Sequence, residues 1–378
     1  MSTIAGRLRG EQGETVNMHR LLQATVQFKA SDLHVQVGSP PTVRVDGAMV
    51  PFEAADVSPD DVRELVGQVA GAAALERLEQ DLSCDFSYLL PEVARFRINV
   101  FREQGRLCLV ARCIPLEIKS FEELSLPKVL REIAGEHRGL VLVTGTTGSG
   151  KSTTLAAMID YLNRSRRLRI VTIEDPVEFV HESRKSLIAH REVGRDTPSF
   201  SESLKRALRQ DPDVILVGEL RDAETMRIAL QAADTGHLVF STVHTTNTSF
   251  TMQRMVSMFP ADERELLRVQ LATNLTAIVS QRLAVRKPPA KGRLPVIEVM
   301  RNTAVVSKEI LDGEITNLPK VIASRDAGMQ LFDQHLTDLY RSGQIRGIEA
   351  LRLATNPEAV ALTMRGVSTH DIAGGLLS

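Results

Sequence analysis

Three kinds of residue in this chain could do chemistry together: a glycine-framed lysine, carboxylates at strand ends, and histidines flanking one strand. The stretch Gly145-Thr146-Thr147-Gly148-Ser149-Gly150-Lys151-Ser152 fits G-x-x-x-x-G-K-[ST] in full. It follows an apolar strand, Leu140–Thr144, and precedes a helical pattern with Leu155, Ile159 and Leu162 on one face. Glycines there let backbone N–H groups turn toward phosphate oxygens, and the helix N-terminus adds a favourable dipole. Lys151 is expected at the β- and γ-phosphates and the Ser152 hydroxyl on Mg²⁺, with Thr153 closing the nucleotide-binding stretch. The N-K-x-D element that reads guanine in typical GTPases is absent, so ATP is the expected nucleotide.

The run DVILVGE ends on Glu219. After a phosphate loop, such a strand brings a carboxylate beside the Mg²⁺ and the attacking water. Glu219 is a candidate to polarise that water or hold the metal's hydration shell, against the plainer alternative of a surface glutamate. Glu174-Asp175 ends the strand RIVTIED, and two acids at the mouth of one sheet can share general-base work and metal positioning. His237 and His244 flank HLVFSTVH; on an extended strand they stand roughly 23 Å apart, so they cannot ligate one metal. His244, at the carboxyl end, is the candidate to sense a γ-phosphate, whereas His237 reads equally as a neutral structural histidine.

Arginines supply the missing positive charge in two places. In TPSFSESLKRALRQDPD, Thr197 is the expected N-cap and Pro198 the first helical residue, with Phe200, Leu204 and Leu208 on one face. Lys205, Arg206 and Arg209 then lie on or near a neighbouring face, which is either a solvated stripe or a phosphate-facing one. In RFRINVF, Arg95, Arg97 and Asn99 share a strand face, and Arg112 sits on the next strand. Guanidinium binds phosphate oxygens bidentately, and a phosphate loop without its own arginine finger often borrows one from a neighbour.

The elements that must position these residues fall into two regions. From Met18 to about Pro115, Leu33, Val35, Val37, Val43 and Val45 alternate with polar residues, and Asp46-Gly47 signals a hairpin. A helical spacing occupies the segment from Ser58 to Gln80, and RFRINVF and RLCLVARCI form strands around Gln104-Gly105. Ser120 and Glu123 make a capping-box pattern in a connector that also contains Pro115 and Pro127. Beyond it, GLVLVTG, RIVTIED, VILVGE, HLVFSTVH and LPVIEVM alternate with helices, which predicts an α/β fold with a mainly parallel sheet and ligands at the strands' carboxyl ends. The expected division is a mobile tail over 1–15, a small α/β domain over 16–115, a linker over 116–128, and a phosphate-loop domain with a helical C-terminal region over 129–378.

Composition narrows the classes further. The 378 residues exceed one small domain, and a net charge of −1 gives no global attraction to nucleic acid, so no nucleic-acid partner is expected. Three cysteines without C-x-x-C pairing argue against a disulfide framework or zinc site, and the absence of a ~20-residue apolar run or a secretory leader points to a cytoplasmic protein.

Together TGTTGSGKST, TIEDPVEFVHES, REVGRDT, RQDPDVILVGELRD and TGHLVFSTVHT resemble the secretion-superfamily ATPases, specifically the type IV pilus retraction (twitching motility) ATPases of the PilT/PilU family. The resemblance runs from SDLHVQVGSPPTVRVDG through GMQLFDQHLTDLY. It implies a PAS-like N-terminal domain joined to a RecA-like ATPase domain, assembled as a homohexameric ring. It also implies Mg²⁺-dependent ATP hydrolysis and docking on an integral inner-membrane platform protein, with a paralogous ATPase ring as a further partner. On this resemblance the phosphate loop is Walker A, Glu174 the Asp-box glutamate, Glu219 the Walker B glutamate, and His237 and His244 the His box. Arg97 and Arg112 match arginines that reach a nucleotide across the ring.

Two departures point toward the accessory, PilU-type branch. Lys205 stands where much of the superfamily has arginine, and the retraction signature AIRNLI appears as Val305-Val306-Ser307-Lys308-Glu309-Ile310, with serine in place of arginine. A cysteine zinc motif typical of pilus-extension and type II secretion ATPases is missing after QRLAVRK, which makes an assembly ATPase the weaker alternative.

Overall fold

The computed structural model describes residues 17–365 apart from Asp46, Pro115 and Leu116. The expected tail over 1–15 lies outside the described residues. The chain divides into two compact units: one runs to Glu117 and includes Pro176–Val180, and the other comprises Ile118–Asp175 and the chain from His181 onward.

The first unit is built from α1 (Met18–Gln27), β1 (Asp32–Gln36), β2 (Thr42–Val45), β3 (Ala48–Pro51), α2 (Pro59–Gly67), α3 (Ala72–Asp81), β4 (Ser83–Leu90), β5 (Ala94–Glu103) and β6 (Arg106–Ile114). Its six strands lie in the order β3-β2-β1-β6-β5-β4, every pair antiparallel. Alternation decides which face is buried: Ala94, Phe96, Ile98 and Val100 of β5 point into the core, while Arg95, Arg97 and Asn99 stay partly exposed. Gln104 and Gly105, with φ of 49° and 77°, make the tight turn between β5 and β6. The single helical segment expected between Ser58 and Gln80 is two helices. Gly67 ends the first and Gly71 caps the second, because glycine lowers helix propensity on both sides of the break.

The second unit contains α4 (Val129–Ala134), β7 (Gly139–Thr144), α5 (Lys151–Ser165), β8 (Arg169–Glu174), β9 (Leu187–Glu192), α6 (Phe200–Ala207), β10 (Val214–Val217), α7 (Ala223–Asp234) and β11 (Leu238–Val243). It continues through α8 (Thr248–Ser257), α9 (Arg264–Asn274), β12 (Leu275–Val285), β13 (Arg293–Arg301), α10 (Ala304–Asp312), α11 (Leu318–Ala323), α12 (Phe332–Arg341), α13 (Gly347–Leu353) and α14 (Pro357–Met364). Seven strands lie in the order β13-β12-β7-β11-β10-β8-β9; only the β12–β13 pair is antiparallel. The central strands are buried on both faces. Leu140 and Leu142 of β7 pack into one apolar cluster with Met226, Ala229 and Leu271, whereas Val141 and Val143 pack into another with Leu155, Met158 and Ile159 of α5. A third cluster joins Ala284, Leu294 and Val296 to Phe332, Leu336 and Val360 of the C-terminal helices.

Two local features differ from the sequence expectation. Strands β9 and β12 carry no clear alternation and are not expected as strands; β12 continues the apolar pattern of α9 without a break in the sequence. The N-cap of α6 is Ser199, whose side chain accepts from Glu202 N, so the helix starts two residues later than Thr197 predicts. Ser120 and Glu123 do exchange their capping bonds, but only a turn follows, because Pro127 stops a helix there.

Candidate active site

The carboxyl ends of β7, β11, β10 and β8, four neighbours in the sheet, carry the candidate chemistry. Strand β7 runs straight into the phosphate loop. Gly145, Gly148 and Gly150 have φ of 148°, 77° and 92°, a backbone region that L side chains rarely adopt. Space is equally short: a Cβ on Gly145 would stand 2.5 Å from Ser149 Oγ, and one on Gly150 2.7 Å from Gln281 Nε2. Gly150 caps α5 without a side chain, leaving the leading N–H groups of that helix available to an anion. Ser149 Oγ is buried with no hydrogen-bond partner among the described residues. Lys151 is also buried, and its Nζ donates to Gly145 O at 2.9 Å and Thr146 O at 3.1 Å. Thr146 and Thr147 are exposed at the loop's crest, and Ser152 and Thr153 sit partly buried in the first turn of α5. An inward lysine, an orphaned hydroxyl and a row of backbone donors make a cradle that fits a polyphosphate.

Glu219 lies two residues beyond β10 with its side chain only 14% exposed. It forms an ion pair with Arg221, and His244 Nε2 stands 3.6 Å from its other carboxylate oxygen. Burial, then the Lys151 cation, push the His244 pKa below its ordinary value, with Glu219 pulling the other way. His244 is therefore neutral at neutral pH and lies within electrostatic reach of both the loop lysine and the acid. Arg221 is not among the residues that the sequence singles out; its guanidinium pairs with Glu219 and also feels Asp175. The signal that could have found it is a cation two residues after the acid in GELRD.

Glu174 closes β8, in register with Glu192 on β9. Gly218 N donates to Ile173 O at 2.7 Å, and a Cβ on Gly218 would stand 3.4 Å from Glu174 Cα. The backbone at Gly218, just before Glu219, thus runs directly against that of Glu174. Strand β8 is three places from β7 in the sheet, about 14 Å at ordinary strand spacing, so Glu174 belongs to the Glu219 side of the cluster. His237 does not join it. It precedes β11, at the amino end of the sheet, where its Nδ1 is 2.9 Å from Ala232 O.

The remaining cations are placed differently. Lys205 Nζ donates to Glu224 at 2.7 Å, and Arg206 pairs with Glu202 at 3.4 Å, as a solvated stripe does. In the first unit, Arg97 and Arg112 are directly opposite each other across β5 and β6. Arg97 Nε reaches Asp85 at 3.4 Å and Arg112 Nε reaches Asp32 at 2.9 Å; Arg97 stays partly exposed and Arg112 well exposed.

A doubly wound sheet with a phosphate loop, a strand-end carboxylate and a neutral histidine at one rim defines a P-loop nucleotide-binding protein. The family described as Type II/IV secretion system protein matches residues 14–309, and the chain belongs to that family. It is 43% identical over 344 residues to the type IV pilus retraction ATPase PilT of Pseudomonas aeruginosa, covering 91% of this chain and 99% of the relative. It is 39% identical over 357 residues to the type IV pilus ATPase PilU of the same organism, covering 94% and 93% of the two chains. Among solved structures, the pilus retraction motor PilT with bound ADP superposes with a TM-score of 0.83 at 38% identity, covering 90% of this chain and 98% of that one. Among the described residues no helix is long and apolar enough to cross a membrane.

Proposed function

We propose that this chain is the ATP-hydrolysing motor of type IV pilus retraction, the activity named for its PilT relatives. The observation that carries this reading is the meeting of Lys151, His244 and Glu219 at one end of the sheet. Residues Gly145–Thr153 hold ATP, with Lys151 on the β- and γ-phosphates. Glu219 polarises the attacking water, Glu174 shares general-base work from the neighbouring strand, and His244 senses the γ-phosphate as a neutral donor. His237, at the far end of β11, enters this scheme only as the second member of the His box.

Mg²⁺ would be held by the Ser152 hydroxyl and, directly or through water, by Glu219, where it would neutralise charge on the phosphates. Among the described residues no three His, Cys, Asp or Glu side chains converge on a metal, which suits an ion bound largely through the nucleotide's own oxygens.

The protein in this reading is a homohexamer. Residues 16–115 form a PAS-like domain, 116–128 a linker, and 129–378 a RecA-like ATPase domain with a helical C-terminal region. Arg97 and Arg112 reach the nucleotide of a neighbouring subunit, and rotation about the linker delivers the work. The ring is cytoplasmic and docks on an integral inner-membrane platform protein. An accessory, PilU-type role with a paralogous ring is the second reading. It is favoured by Ser307, whose hydroxyl donates to Ala272 O at 3.0 Å at the end of α9, where the retraction signature has an arginine.

The test is a count of surface pili, with twitching, in cells carrying only Glu219→Gln. Excess pili without twitching is the expected outcome. Normal pilus numbers would favour the accessory reading, and bald cells would reverse the direction of the machine.

A further inference from the structure

Gln281 opens the stretch QRLAVRK and carries no role named above, yet it is closely fitted to the phosphate loop. Strand β12 pairs in parallel with β7, with Ser280 opposite Thr144, so the register places Gln281 beside Gly145 although the two are far apart in sequence. Its side chain is buried, 3% exposed, and both ends of its amide are used. Nε2 donates to the carbonyl of Ser149 at 2.7 Å, and Oε1 accepts from Thr154 Oγ1 at 2.8 Å. One amide therefore ties the crest of the loop to the first turn of α5. Two of the loop's glycines are crowded by this residue, one by its backbone and one by its amide. A Cβ on Gly145 would meet Gln281 O at 2.5 Å, and one on Gly150 would meet Gln281 Nε2 at 2.7 Å.

The direction of these bonds matters. In a planar trans peptide the C=O and N–H point opposite ways. Holding Ser149 O on β12 turns the Gly150 N–H away from β12, where a phosphate oxygen can accept it. The strand is itself fixed on both sides of this contact. Ser280 Oγ and Thr144 Oγ1 are 2.8 Å apart. Arg282 donates to Leu353 O and lies over the Phe332 ring at 3.9 Å from its centroid. Only glutamine has both the length and the donor–acceptor pair that these two bonds need. Asparagine is one methylene short, and glutamate would set an oxygen against the Ser149 carbonyl.

We infer that Gln281 is a positioning residue that sets the phosphate loop in its binding conformation before nucleotide arrives. It acts on affinity for the β-phosphate, which ATP and ADP share, more than on the chemical step. The inference rests on the reading of residues 145–153 as the nucleotide site.

The test compares wild type, Gln281→Glu, Thr154→Val and Lys151→Ala in the full chain with Mg²⁺, by calorimetry with ATP and ADP and by steady-state hydrolysis. Gln281→Glu should weaken ATP and ADP by the same factor, about 10- to 100-fold, since it loses a buried hydrogen bond and opposes two acceptors. KM should rise by that factor while kcat falls far less, the signature of lost uniform binding. Thr154→Val keeps the side-chain shape and should weaken binding about 3- to 10-fold. Added to Gln281→Glu it should cost less than it does alone, because the two side chains share one bond. Unchanged affinity in both variants, or a fall in kcat at unchanged affinity, overturns the assignment. If Gln281→Glu does not fold, Thr154→Val alone decides, as it reads the same bond without a new charge. Normal nucleotide binding by Lys151→Ala would instead overturn the reading of the site itself.

Discussion

In the first unit's sheet, β5 buries every second residue and leaves Arg95, Arg97 and Asn99 along an accessible face. In the second unit's sheet, β7 and β11 bury every residue they contain, and their charged neighbours begin only where the strands stop. The difference follows from pairing. Antiparallel strands joined by hairpins can keep one face wet, whereas parallel strands need crossover helices that cover both faces. A charged group can thus sit in the middle of β5, but on β7 and β11 it must wait for a strand end. Charges presented on a face suit contact with a separate surface; groups gathered at strand ends suit a ligand enclosed by loops.

The sharpest way to break this contrast is to put a charge in the middle of each sheet. Leu142→Asp, at a fully buried site in β7, should prevent folding of the second unit, because an unpaired buried carboxylate costs about 3–5 kcal/mol or more. Asn99→Asp on the accessible face of β5, next to Asp85, should cost only about 1 kcal/mol. Denaturant titration of both variants decides, and equal costs would mean that the two faces are not differently solvated.

A second expected effect concerns what the accessible face is for. Arg97→Ala should leave ATP binding intact and lower turnover by about 10³-fold, the scale of a lost arginine finger. Mixing it with Lys151→Ala protomers should restore activity at interfaces that pair an intact arginine with an intact loop. No recovery in confirmed mixed rings would remove Arg97 from the neighbour's site.

The smallest effect is electrostatic. Burial beside His190 pushes the His181 pKa down to about 3, and burial of His335 lowers its pKa to about 4. The unfolded chain protonates these histidines below about 6.5, while the folded protein resists until far lower pH. The unfolded state therefore binds more protons in that window, and stability should fall as pH drops from about 6.5 toward 4. His335→Gln keeps an acceptor for the Ile297 N–H and should flatten the dependence of the urea midpoint on pH; an unchanged slope would exclude His335 as a contributor.

Much of the site is legible in local sequence. The phosphate loop declares itself because glycine, lysine and serine must recur at fixed spacing to turn a backbone around phosphate. The strand-end acids Glu174 and Glu219 are visible because each closes an apolar run. The Arg97–Arg112 pairing needs only the hairpin turn at Gln104-Gly105. What escapes is whatever depends on strand order. Arg221 pairs locally with Glu219, but it comes within reach of Asp175 only when β10 is set beside β8. The α6 cap falls on Ser199 instead of Thr197, since several serines and threonines there can serve and packing chooses among them.

Spacing along the chain alone reveals a nucleotide loop between a buried strand and a helix, because that chemistry is local and backbone-driven. It took the folded sheet to show that Gln281 grips that loop from β12 and that His244 stands 3.6 Å from Glu219. The physical reason is the same for the loop and its acid. Parallel strands become neighbours through long crossovers, so no spacing along the chain encodes which carboxyl ends will meet.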